Sequence, residues 1–397
     1  MDSRTKHGWE LPCVLLLACS AATALNGQPL QWTPQGASPN RHGQVENIDG
    51  EEVTGGIQAV AVHPTDPNTV YVGAVNGGIW KSVNAMSPTP KWREMIDAEE
   101  SMSVGAISFD PTDAAHQTVV AGIGKFSSLG EKAGGSRSGL LRTTDGGANW
   151  KQIDAVKGLN ISGVAPRGAT IVVAANDADD PNLLFPNGPS KSTGVWRTDG
   201  TAWVQLSGAA NTGLPAGPSS SLASDPAVPA RLYVNAWTAG IFRSDNTGAT
   251  WHKVSSAEMD TLIGAADNLK ISVGAGGGVY VAIDSSGQLA GLFRSPDGES
   301  NWTGMSLPGL DEGGIHPGGQ GAVHLALAAD PQFANIVYVG GDRQPAKFVN
   351  GRETPLADGD APTWPNAIGA NDYTGRIFRG NPSLPADKQW SILPTRT

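Results

Sequence analysis

The chain has 397 residues, with 52 glycines, 28 prolines, 16% charged residues and a net charge of −10. So much Gly and Pro excludes a helical bundle, and the acidic balance excludes a nucleic-acid surface, because few cations remain to neutralise phosphates. Both cysteines, Cys13 and Cys19, lie in the first 20 residues, so the remainder folds without a disulfide or a thiolate site.

In chain order, residues 1–24 read as an export leader. Arg4 and Lys6 precede an apolar run over 11–25 that is too short to span a bilayer, and Ala22-Thr-Ala24 offers a small-x-small cleavage site. The alternative is Leu16-Leu-Ala-Cys19, which has the form of a bacterial lipid-attachment site. The expected location is therefore secreted or periplasmic, or lipid-anchored through Cys19. Residues 25–52 form a linker with one strand-like run, Leu30-Gln-Trp-Thr33. No transmembrane span is expected.

From residue 53 to 397 one unit recurs about every fifty residues. Its first two strand-like runs are typified by 57–62 and 69–73, joined by His63-Pro-Thr-Asp-Pro-Asn68. The same connector returns as Asp110-Pro-Thr-Asp113, Asp225-Pro-Ala-Val-Pro229 and Asp330-Pro-Gln-Phe-Ala-Asn335. Proline presets a turn dihedral and Asp or Asn caps the turn amides, so these connectors predict tight turns. A third run leads through a hairpin to a tryptophan, most fully in Leu140-Leu-Arg-Thr143-Thr-Asp145-Gly-Gly147-Ala-Asn149-Trp150. Ser244-Asp-Asn246-Thr-Gly248-Ala-Thr250-Trp251 and Ser295-Pro-Asp297-Gly-Glu299-Ser-Asn-Trp302 repeat the pattern. Looser copies end at Trp92, Trp203 and Trp390.

Four strands per unit without helical periodicity predict an all-β fold, a β-propeller of four-stranded antiparallel blades. Six blades are legible, over 53–98, 102–155, 159–208, 219–256, 268–308 and 324–395. The unmatched strand at 30–33 leaves two closures open. It is either an extra edge strand on six blades or part of a ring whose seventh blade lies beyond Thr397, the reading favoured here.

The tryptophan phrase resembles the Asp-box, or bacterial neuraminidase repeat, carried by a superfamily of propellers that includes sialidases, sortilin-type receptors, xyloglucan-degrading glycosidases and photosystem assembly factors. The resemblance rests on Asp145, Gly147 and Trp150, on Asn246, Gly248 and Trp251, and on Asp297 and Trp302, and covers about 53–395. It implies a structural hairpin between third and fourth strands, with the Asp accepting turn amides and the Trp wedged on the blade. It does not settle function. The Arg-Ile-Pro segment of sialidases is absent. Where xyloglucan-degrading propellers carry an Asp-x-Gly-Gly acid, this chain has Val75-Asn-Gly-Gly78.

The long insertions fall in the second-to-third connections of blades 2, 3 and 6, at 122–138, 176–193 and 341–374, all of which emerge on one face of a ring. The expected ligand-binding residues are Arg137, Arg343, Trp364, Phe126 and Tyr373, a mixture of guanidinium and aromatic groups suited to a carbohydrate or protein ligand. Catalytic residues are not identifiable; Asp342 and Asp372 are weak candidates for an acid–base pair. No cofactor is expected, with calcium at Asp177 and Asp179 as the alternative, and the chain reads as a monomer. The favoured reading is a secreted, non-catalytic binding propeller. The alternative is a glycoside hydrolase with relocated acids.

Overall fold

The computed structural model describes residues 56–393 apart from 97–98, 127–134, 177–192, 311–313, 317–318, 320, 342–347, 350–351 and 354–374; at 237, 348–349 and 352–353 it describes the backbone alone. Within these residues the chain forms six four-stranded antiparallel sheets, each ordered first to fourth strand along the chain. Blade 1 comprises Ile57–Val62, Val70–Ala74, Ile79–Ser82 and Trp92–Glu94. Blade 2 runs from Val104–Phe109 to Lys151–Ile153, and blade 3 from Asn160–Arg167 to Trp203–Gln205. Blades 4, 5 and 6 begin at Leu222–Ser224, Asn268–Val273 and Ala326–Ala329 and end at His252–Lys253, Thr303–Gly304 and Trp390–Leu393. The fold is a six-bladed propeller, and its blades are the six that are legible in the repeat.

Local chemistry explains the strand ends. After the first strands of blades 2, 4 and 6 an Asp folds back on the amides that follow. Asp110 Oδ1 accepts from Thr112 N at 2.9 Å, Asp225 Oδ1 from Ala227 N at 2.8 Å and Asp330 Oδ1 from Gln332 N at 2.8 Å. These bonds satisfy the turn donors while the following Pro prevents the strand from continuing.

The blades are held together through their faces. First strands pack on one another in chain order from blade 1 to blade 6. Among the described residues the buried apolar side chains form five clusters, and each joins two consecutive blades. The terminal tryptophans share one rule. Trp150, Trp203, Trp251, Trp302 and Trp390 each pack into the cluster that their blade makes with the blade before it. No described cluster joins blade 6 to blade 1, and Trp92 belongs to none.

Three features escaped the sequence reading. A helix, Ala257–Ile263, follows blade 4, capped by Ser256, whose side chain accepts from Met259 N, and with Glu258 and Asp260 in its first turn. A single turn, Gly321–His324, precedes blade 6. The long connection of blade 6 carries a two-residue ladder, Phe348–Val349 with Arg352–Glu353. No described helix is long and apolar enough to cross a membrane.

Candidate functional site

Antiparallel order puts the second-to-third connections, and those between blades, on one face of the ring, and the tryptophan hairpins on the other. The hairpins are self-contained. Asp145 Oδ1 accepts from Thr143 Oγ1 at 2.8 Å and Asn149 N at 2.9 Å, while Gly147 N donates to Thr143 Oγ1 at 2.9 Å. Asn246 makes the equivalent bonds to Ser244 Oγ and Thr250 N, each at 2.9 Å, and Gly248 N donates to Ser244 Oγ. Asp297 accepts from Ser295 Oγ at 2.8 Å and from Glu299 N at 3.0 Å. Gly147 and Gly248 have φ of 90° and 75°, where a side chain is strained.

The hairpins also fasten neighbours. Lys81 Nζ and Tyr71 OH of blade 1 donate to Gly146 O of blade 2, at 2.9 and 2.6 Å, and Arg197 Nε of blade 3 donates to Thr247 O of blade 4 at 3.0 Å. Beside them Asp245, His252 and Glu299 could together face a metal. Arg243 already reaches Asp245 at 2.8 Å and Glu299 at 2.6 Å, and Arg231 reaches Asp245 at 2.9 Å. Two guanidiniums supply the positive charge an ion would bring, so this cluster is an ion-pair network.

The opposite face holds a cavity of about 1000 Å³, between blades 1 and 6 and reaching inward to blades 2 and 5. Its side walls are the first strands of blades 1 and 6. In blade 1 the wall residues Ile57 and Val60 are 46% and 58% exposed, and Ile377 of blade 6 is 42% exposed. Tyr338 belongs to this wall. In blades 1 and 5 the second-strand tyrosine donates to the next blade, Tyr71 to Gly146 O and Tyr280 to Ala334 O at 3.0 Å. Tyr338, in the same register, donates instead to Asp330 Oδ2 of its own blade at 3.2 Å. The cavity thus occupies the seam where blade 6 would meet a following blade.

Two side chains enter from further round the ring. Phe126 lies over backbone that glycine leaves bare, since a Cβ at Gly105 or Gly124 would stand 2.5 Å from its ring. Asn160 anchors that loop by accepting from Lys125 N at 2.6 Å. Lys270 enters from the middle of the first strand of blade 5, on the face opposite to the core residues Leu269 and Ile271. Burial against these apolar walls lowers its pKa below the ordinary 10.5, and among the described residues no carboxylate or hydrogen-bond acceptor meets its ammonium. No Asp or Glu lines the described part of the cavity.

Of the sequence-based candidates, Phe126 lies in this wall. Arg137 lies on the same face but at the junction of blades 2 and 3, where its guanidinium donates to Gly158 O at 3.5 Å. Arg343, Trp364, Tyr373, Asp342, Asp372, Asp177 and Asp179 lie outside the described residues. Lys270 was missed. A single lysine inside the apolar alternation of a first strand is the signal that could have found it.

No family model matches the chain, and no curated protein matches it. Solved structures do. A GH74 xyloglucanase from Xanthomonas campestris superposes with a TM-score of 0.53 at 18% identity, covering 86% of this chain and 45% of its own. An ancestral GH74 enzyme gives 0.51 at 16% identity, covering 91% and 47%. YCF48 bound to D1 peptide gives 0.46 at 14% identity, covering 85% and 82%. The chain spans less than half the length of the two GH74 enzymes, and the likeness concerns the propeller fold.

Proposed function

We propose that this chain is a non-catalytic propeller that binds an extended segment of another protein in the cavity between blades 1 and 6. The observation that carries the reading is the composition of the cavity wall. It exposes Ile57, Val60 and Ile377 on rigid strands, and its described residues include no carboxylate. Hydrolysis of a glycosidic bond calls for a pair of carboxyl groups, which the described residues of this wall do not include. Exposed apolar side chains held on strands suit an extended chain, whose alternate side chains fill the pockets while its backbone bonds to a strand edge.

Selection of displayed peptides on the intact protein, counter-selected on a Val60→Asp/Ile377→Asp variant, tests the proposal. A set of peptides that binds the protein and not the variant is expected. Selection of no such set, or release of reducing sugar from xyloglucan by the protein, overturns it.

A further inference from the structure

Lys270 has no partner among the described residues, whereas several other basic side chains in the fold do. Arg243 pairs with Asp245 and Glu299, Arg231 with Asp225 at 3.2 Å, and Lys81 donates to Gly146 O. A cation withdrawn from water is costly unless paired, and natural interiors seldom tolerate one alone. Lys270 is alone among the described residues. It also occupies a position that the fold does not need to be charged. In the same strand Ser272, on the same side as Lys270, accepts from Ala329 N of blade 6 at 2.9 Å, so the neighbouring position of this register fastens two blades while Lys270 fastens nothing.

The surroundings narrow what would meet it. Within the cavity Lys270 faces Ala326, Leu327 and the preceding turn on the blade 6 side, and the apolar first strand of blade 1 across the gap. Besides Lys270, the described lining carries polar side chains only in Gln58, Asn76, His324 and Tyr338, none of them anionic.

Building on the proposed cavity function, the geometry points to Lys270 as the anchor for an acidic side chain in the middle of an otherwise apolar, extended peptide. Valines or isoleucines on either side of that acid would meet Val60 and Ile377, and the carboxylate would complete the ion pair that the fold leaves open. The low dielectric of the walls strengthens this pair relative to one at the surface, and selectivity for the acid follows because its neutral amide analogue leaves the ammonium unpaired.

The probes are two blocked, fluorescently labelled heptapeptides, Ser-Gly-Val-Glu-Val-Gly-Ser and its Gln counterpart, followed by anisotropy with the intact protein at pH 7. The Glu peptide is expected to bind at least tenfold more tightly. Lys270→Met should erase that ratio by weakening the Glu peptide alone, and Lys270→Arg should keep it. The ratio should also fade with rising pH before the ordinary lysine value of 10.5 is reached, because burial lowers the pKa of this ammonium. Equal binding of the two peptides overturns the anchor while leaving the cavity function standing. An unchanged ratio in Lys270→Met assigns the preference elsewhere and also overturns it. Binding of neither peptide overturns both.

Discussion

Asp284 shows how one residue can set the pH response of the whole fold. It lies one residue before the end of the second strand of blade 5, is fully buried, and neither carboxylate oxygen has a hydrogen-bond partner. Burial, and then the nearby Asp267, push its pKa up to about 7. Because this folded value lies above the ordinary 3.8, its stabilising effect is complete below pH 3.8 and is lost as pH rises through about 7. The shift of about three units corresponds to something on the order of 4 kcal/mol. Asp284→Asn should therefore raise the melting temperature at pH 8 and flatten its fall between pH 4 and 8. A wild-type melting temperature that is level across that range would contradict the assignment. Asp145 behaves in the opposite sense. Hydrogen bonds from the Asn149 side chain and backbone hold its pKa down to about 2, so its contribution is present above 3.8 and lost as pH falls through about 2. Asn246 fills the same place in blade 4 without a charge. Asp145→Asn should accordingly keep the hairpin at neutral pH and reduce acid sensitivity below pH 4, which thermal melts across the acid range would reveal.

At the scale of elements, the tryptophan hairpin is the recurring joint. Trp251 is 5% exposed and its Nε1 donates to Gly248 O at 3.0 Å, whereas Trp150 is only half-buried and its Nε1 has no partner. Trp251→Ala should cost about 3–5 kcal/mol in denaturant unfolding and Trp150→Ala about 1–3 kcal/mol. Equal losses would show that exposure does not govern the joint. The hairpins, the Asp-Pro turns and the strand alternation were all legible in the sequence, because each depends on residues close together in the chain. The tryptophan's packing against the preceding blade was not, since that contact spans a whole repeat. The helix at Ala257–Ile263 was legible in principle from Ser256 and the acids after it, but only seven residues long it was hidden among strand signals. Phe126 could be named because a long insertion drew attention to its loop. Lys270 was marked only by its place in an apolar run, and its meaning depends on elements far away in sequence.

At the scale of the molecule, five seams are packed and the one between blades 6 and 1 is not, among the described residues. The apolar side chains there contribute little to stability because they remain wet. Val60→Ser and Ile377→Ser should each change unfolding free energy by less than about 0.5 kcal/mol, as ordinary surface changes do. A large loss in either would show that the seam is closed in solution. If the seam instead serves a ligand, protection on binding must appear there first. Hydrogen–deuterium exchange of the intact protein with a selected peptide measures this directly. The account predicts slowed exchange in the first strands of blades 1 and 6, Ile57–Val62 and Ala326–Ala329, with the hairpins at 143–150 and 244–251 unchanged. Protection confined to those hairpins, or no protection at either first strand, would contradict it.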